Sequence, residues 1–495
     1  MRYHATATCR AVKEPNRREF LGRLAAASMP ALAATSQRPN IVLILTDDQG
    51  YGDLACHGNP VVKTPNLDHL YSQSVRFTDF HASPTCAPTR CAIFTGRHEF
   101  KSGVTHTIFE RERMSLKATT IAQVLKAAGY ATGVFGKWHL GDAAAYQPQK
   151  RGFDEAFIHG CGGIGQDYGG TCSDAPGNTY FNPTILHNGV FERTEGYCTD
   201  VFFAQALHWI EERRDAGSPF FAYIATNAPH SPLICPDEYR RMYRGMNLGE
   251  DVEKFFGMVT NIDDNVGRLM SRLADWDLDR KTMLIFMTDN GGTAGVRVFN
   301  AGMRGAKGTA YQGGTRVPAF FRWPGVFKPG DVSRLTAHLD LFPTFAEVAG
   351  AKIPDGLQLD GRSLMPLLRD HSAAWADRLL FTHVGRWERG QAAESKYAKC
   401  RIRSARFSLV SNGPEKRWEL YDMATDRGER LNVATQHPEE VARLEAAYDR
   451  WWAETLPCLE NEDAVPPRVP PYKELYWKQF GGGPGYAGPG PAIRK

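Results

Sequence analysis

The sequence predicts an α/β fold: a large, mostly parallel sheet flanked by helices, with a smaller C-terminal antiparallel-sheet domain. Three observations point there. Apolar runs at 41–45, 131–135, 220–225 and 282–287 are continuous rather than alternating, as expected of parallel strands buried on both faces. Helical segments alternate with these runs, as parallel crossovers require. Beyond a plausible linker at 354–368 the texture changes to short alternating strands.

At 495 residues the chain is long enough for two domains. We expect an export signal at 1–34, a catalytic domain at 38–365, a small α+β domain at 366–460 and an irregular Pro/Gly-rich tail at 461–495. Apolar content of 42% and charged content of 23% are ordinary for a globular enzyme. The net charge of +4 arises from residues 1–34, which carry six Lys/Arg against two Asp/Glu. The rest is balanced, so neither nucleic acid nor an anionic membrane is implied. Asn16-Arg17-Arg18-Glu19-Phe20-Leu21 followed by a weakly apolar run resembles a twin-arginine signal and predicts a periplasmic or secreted destination. No run is long enough for a membrane span. The ten cysteines lack metal-type spacing, and sequence alone does not pair them.

In order, the first run (41–45) ends in Thr46-Asp47-Asp48-Gln49-Gly50. Two carboxylates directly after a buried strand need a cation or strong hydrogen bonds, although capping of the next helix is the plainer alternative. A helix from Thr64 and a strand over 75–80 lead to Ser83-Pro84-Thr85-Cys86-Ala87-Pro88-Thr89-Arg90. Pro88 suits a first helical turn. Cys86 then sits at a helix N-terminus, which favours an anion, and Arg90 lies one turn on. Thr119 or Thr120 caps the next helix. The strand over 131–135 ends in Gly136-Lys137-Trp138-His139, whose Lys137 and His139 point to one side if extended. The Gly-rich stretch 162–183 reads as a pocket-shaping loop, and His106 and Trp138 are candidate pocket residues, with core packing equally open for Trp138.

A helix over 199–214 precedes the run 220–225, which leads into Ala228-Pro229-His230-Ser231-Pro232. Helical spacing from Phe255 to Leu273 follows, where Asp263 and Asp264 read as solvated or capping. The run 282–287 ends in Thr288-Asp289-Asn290-Gly291-Gly292, and Lys307 lies among glycines that let backbone approach a ligand. Strand C-termini of a parallel sheet share one edge. Asp47, Asp48, Lys137, His139, His230, Asp289 and Asn290 therefore converge with the Cys86 loop. Three carboxylates and an amide oxygen suit Ca²⁺ or Mg²⁺ rather than zinc. Arg90, Lys137 and Lys307 add positive charge, a combination fitted to a sulfate or phosphate ester.

Cys86-x-Pro88-x-Arg90 with Thr95-Gly96-Arg97, and the ordered polar clusters around it, resemble the type I sulfatases of alkaline-phosphatase-like fold. The resemblance runs from about Asn40 to Val433 and includes Glu419-Leu420-Tyr421-Asp422 and Glu429. It implies conversion of Cys86 to formylglycine by a maturing enzyme. It also implies a divalent cation, calcium foremost, on Asp47, Asp48, Cys86, Asp289 and Asn290. Arg90 and Lys137 would stabilise the hydrated aldehyde. His230 and Lys307 would bind the sulfate, and His139 would act as a base. The substrate would be a sulfated carbohydrate or an aryl sulfate. One departure is Gln312, where the family often has an acidic residue. Phosphonate or phosphodiester hydrolysis on the same fold, and a non-catalytic glycan-binding relic, are the alternatives.

Overall fold

The four apolar runs form adjacent strands of one sheet. The strands are β1 (Asn40–Thr46), β2 (Val75–Phe77), β3 (Phe80–His81), β4 (Ala131–Lys137), β5 (Glu155–His159), β6 (Thr184–His187), β7 (Val190–Arg193), β8 (Phe220–Ala225), β9 (Thr282–Thr288), β10 (Ala319–Arg322) and β11 (Gly330–Val332). All but β3 join one sheet in the order β11-β2-β10-β9-β1-β8-β4-β5-β6-β7. Its centre, from β9 to β5, is parallel, while β10, β6 and β7 run antiparallel to their neighbours. This computed structural model describes Met1 and residues 38–168 and 172–484. The export signal expected at 1–34 lies, apart from Met1, outside the described residues, as do residues 485–495 of the tail.

Alternation along β1 splits the core into two layers. Ile41, Leu43 and Leu45 enter one apolar cluster, Val42 and Ile44 the other. The helices Cys86–Thr95, Ile121–Ala127 and Leu341–Ala349 cover the first face; Pro65–Ser72, Cys198–Asp215 and Glu250–Asp275 cover the second. Thr120 caps its helix with a reciprocal bond to Gln123. Asp263 is a buried cap of another helix: its carboxylate accepts from the Leu67 N–H at 2.7 Å and the Asn66 N–H at 3.1 Å. Trp138 is core, packed against Phe94 and Phe153.

The second sheet is antiparallel: β13 (Leu380–His383), β14 (Cys400–Arg403), β15 (Phe407–Ser411) and β16 (Glu419–Asp422), following the short β12 (Thr336–Ala337) that pairs with β3. The helix Pro438–Thr455 covers its apolar face through Leu444, Tyr448 and Trp452. The stretch expected as a linker is not free. Leu364, Leu367 and Leu368 are buried in the main core, and from Arg38 onward the described residues form one compact unit.

The tail departs from expectation. Pro471–Phe480 is a helix, and Pro471 at its first position lacks only an N–H that no helix uses. Tyr472 and Tyr476, four residues apart, pack on Phe191 of β7. The Tyr472 hydroxyl donates to the Ile158 carbonyl at 2.9 Å. The composition is that of a loop, but an aromatic stripe at helical spacing pins it to the sheet. Replacing this fully buried ring, Tyr472→Ala, is expected to lower the unfolding free energy by about 3–5 kcal/mol. Denaturant titration measures it; an unchanged midpoint would contradict the packed-tail description.

Candidate active site

The strand register aligns the predicted clusters. Thr46 pairs with Thr288, and Leu45 with Ala225, which in turn pairs with Gly136. The next residues, Asp47, Asp289, Thr226 and Lys137, therefore end four neighbouring strands at one edge, a row about 14 Å wide at ~4.8 Å per strand. Gly136 permits this closeness: its φ is 106°, and a β-carbon there would lie 2.0 Å from the Ala225 carbonyl oxygen.

Across the row, charges interlock. Lys137 Nζ bonds Asp47, and Lys307 Nζ lies 2.5 Å from Asp48 Oδ1. The Arg90 guanidinium donates to Asp289 Oδ2 at 2.8 Å, to the Lys137 carbonyl at 3.1 Å and to the Tyr223 hydroxyl at 3.1 Å. Asn290 Nδ2 donates to Asp48 Oδ1 at 3.0 Å. The Asp48 N–H donates to Asp289 Oδ1 at 3.2 Å. Asp48 and His139 both have positive φ, 65° and 59°, a conformation uncommon outside glycine that clusters at functional sites.

The electrostatics are those of crowded buried carboxylates. Burial pushes the Asp289 carboxyl up, and neighbouring Asp47 adds to the shift. Burial acts the same way on Asp48, but Lys307, His230 and Asn290 hold it well below the usual carboxylate range. Asp47 Oδ1 and Asn290 Oδ1 are buried without any hydrogen-bond partner, a state polar atoms rarely tolerate. Asp47, Asp48, Cys86 and His230 bring ligand atoms within 4.8 Å of one another. This oxygen-rich, partly unsatisfied donor set fits a hard divalent cation. His230 joins the set, which was not anticipated.

Cys86 begins the Cys86–Thr95 helix, after extended Thr85, which makes no side-chain cap. Burial, then the Asp47 carboxylate, push its thiol up to about 12, so as a cysteine it is protonated and inert at neutral pH. His139 Nε2 lies 2.8 Å from the Thr107 carbonyl. A carbonyl only accepts, so Nε2 carries the proton and the unpartnered Nδ1 is the free lone pair. Burial, then Lys137, hold this imidazole well below its usual range. His230 Nδ1–H donates to the Ser231 carbonyl at 2.6 Å, and Nε2 faces Asp48 Oδ2 at 3.7 Å. Burial lowers its pKa to about 4.

Cys86, His139, His230 and Lys307 line one cavity of about 330 Å³ with His106, Thr107, Ile108, Gly162, Gln166, Tyr168, Ser231 and Arg386. His106 and the Gly162 loop thus stand where expected, and a Cys161–Cys172 disulfide closes that loop. Sequence reasoning missed Tyr223, Thr107 and Arg386. A tyrosine inside a wholly apolar strand was the available signal for the first, since a buried hydroxyl needs a partner. Gln312 is fixed in place: its N–H donates to Glu429 at 2.7 Å and its side-chain oxygen accepts from Arg401 at 3.0 Å.

Comparison with known proteins agrees with this geometry. The Sulfatase family model matches residues 39–351, and the model described as N-sulphoglucosamine sulphohydrolase, C-terminal, matches 306–448. Arylsulfatase A of Homo sapiens is 33% identical, covering 84% of this chain and 88% of that protein. N-acetylgalactosamine-6-sulfatase of Rattus norvegicus is 32% identical, covering 71% and 70%. The crystal structure of Ps i-CgsB in complex with k-i-k-neocarrahexaose superposes with a TM-score of 0.75 at 29% identity, covering 84% of this chain and 93% of that one. The chain therefore belongs to the sulfatase family, and the activity that goes with this membership is hydrolysis of sulfuric esters.

Proposed function

We propose that the chain is an exported sulfatase acting on sulfated carbohydrates, with aryl sulfates as artificial substrates. It works through residue 86 as formylglycine and a divalent cation, calcium foremost and magnesium as the alternative. The observation carrying this reading is the single cavity in which Cys86, His139, His230 and Lys307 meet above the unsatisfied Asp47 and Asn290 oxygens. A binding relic needs neither an inert buried thiol nor a proton-free imidazole nitrogen beside it.

Asp47, Asp48, Asp289 and Asn290 would hold the cation together with residue 86. Bound there, the cation would supply Lewis-acid polarisation to the sulfate ester. The hydrated aldehyde supplies an oxygen nucleophile with a second hydroxyl whose loss of a proton frees the sulfate. Arg90 and Lys137 hold residue 86 and its neighbours by positive charge. Asp289 would accept the first proton. Lys307 binds a sulfate oxygen. An anionic ester beside His230 raises its proton affinity, and Nε2–H then protonates the departing alcohol oxygen. His139 Nδ1 takes the proton of the second hydroxyl.

The direct test compares inorganic sulfate and phosphate released from matched esters at equal concentration. Sulfate release is expected; phosphate release alone points to a phosphonate or phosphodiester hydrolase, and no release with retained glycan binding to a relic. Cys86→Ser is expected to abolish turnover and, after incubation with an aryl sulfate, to carry the mass of one SO₃ on residue 86, because serine lacks the second hydroxyl. Loss of turnover without that adduct would contradict the scheme. Calcium at a hundred times its dissociation constant is expected to stabilise the protein by about 2.7 kcal/mol. Asp47→Asn is expected to lose most of this gain. Thermal denaturation with calcium or a chelator reads the effect, and identical shifts in both proteins would refute the assignment.

A further inference from the structure

The floor of the cavity accounts for one sulfate group, but its rim carries donors that this chemistry does not use. Arg386 reaches the cavity from the small sheet, just past β13. Its guanidinium donates to Thr107 Oγ1 at 2.9 Å, and it has no carboxylate partner among the described residues. His106 stands beside it. The His106 Nδ1 accepts from the Thr107 N–H at 2.8 Å and the Ile108 N–H at 3.1 Å, so its proton is on Nε2. His106 is thus a donor beside a cation. Among the described residues lining the cavity there is no carboxylate.

The backbone is bent to deliver this guanidinium. Gly385 and Arg386 are consecutive residues with φ 65° and 60°. At Gly385 a β-carbon would lie 2.0 Å from the Thr105 carbonyl oxygen, and the Arg386 N–H donates to that same oxygen at 3.1 Å. Glycine or asparagine would suit position 386 on conformational grounds. The strain lies in the backbone: a non-glycine residue held in the left-handed region, of the kind found at ligand sites, sets an exposed guanidinium at the cavity.

We propose that Arg386 and His106 form a second anion subsite. The preferred substrate would then be a sugar bearing another sulfate or a carboxylate beside the sulfate ester being cleaved. This rests on the sulfatase reading. It adds that the small sheet selects substrate by charge, through a planar fork suited to two oxygens.

Isothermal titration of the intact protein with benzenesulfonate, benzene-1,3-disulfonate and 3-sulfobenzoate tests the subsite without turnover. Both dianions are expected to bind about tenfold more tightly than the monoanion, and the tighter of the two identifies the preferred second group. Arg386→Ala is expected to bring them to the monoanion's affinity, while Arg386→Lys keeps part of the gain. Should Arg386→Ala fold poorly by circular dichroism, Arg386→Gln preserves size without charge. Dianions that bind wild type no better than benzenesulfonate, no binding of any probe, or equal weakening of all three by the variant would each overturn the subsite. Failure to release sulfate from any ester would instead defeat the sulfatase reading and leave the binding result standing.

Discussion

Everything in this molecule is arranged around one electrostatic problem: three carboxylates, Asp47, Asp48 and Asp289, buried side by side at the end of a sheet. Burying charge without compensation costs far more than a folded protein can absorb. Three buried or nearly buried cations, Arg90, Lys137 and Lys307, answer them directly. The cluster is thus neutral by formal charge, yet some of its oxygens still lack partners. A divalent cation would satisfy those oxygens and leave an excess of positive charge facing the cavity. That is the field an anionic ester needs as charge develops on its leaving oxygen.

The second sheet belongs to this arrangement. The glycine-rich segment carrying Lys307 is braced from that side. Arg304 donates to the Tyr421 hydroxyl at 2.6 Å, the Tyr311 hydroxyl to Glu419 at 2.6 Å, and the Gln312 N–H to Glu429. Arg403 reaches Asp79, next to β3 and the Cys86 loop, at 2.9 Å. The small sheet therefore fixes both the lysine that faces Asp48 and the approach to residue 86.

The central sheet was legible because parallel strands covered on both faces write themselves as unbroken apolar runs, and a polar cluster after such a run has few structural excuses. Asp47, Lys137, His230 and Asp289 were singled out in this way, and the shared polarity of their strands sets them at one edge. Contacts between distant segments left no such trace. Arg386 follows a short strand of ordinary composition, and only the fold shows that it reaches the cavity. The bond from the Gln312 N–H to Glu429 joins segments more than a hundred residues apart. The tail helix was obscured by proline and glycine, although Tyr472 and Tyr476 at helical spacing carried the information. The Cys161–Cys172 pair was one of many possible pairings.

The account stands on residue 86. As a thiol it is buried, protonated and unreactive, and the imidazoles and cations around it have nothing to serve. The most direct measurement is the mass of the proteolytic peptide containing residue 86, from protein made in its native host. The account predicts the mass of an aldehyde or its hydrate in place of cysteine. An intact thiol in catalytically active protein would contradict it.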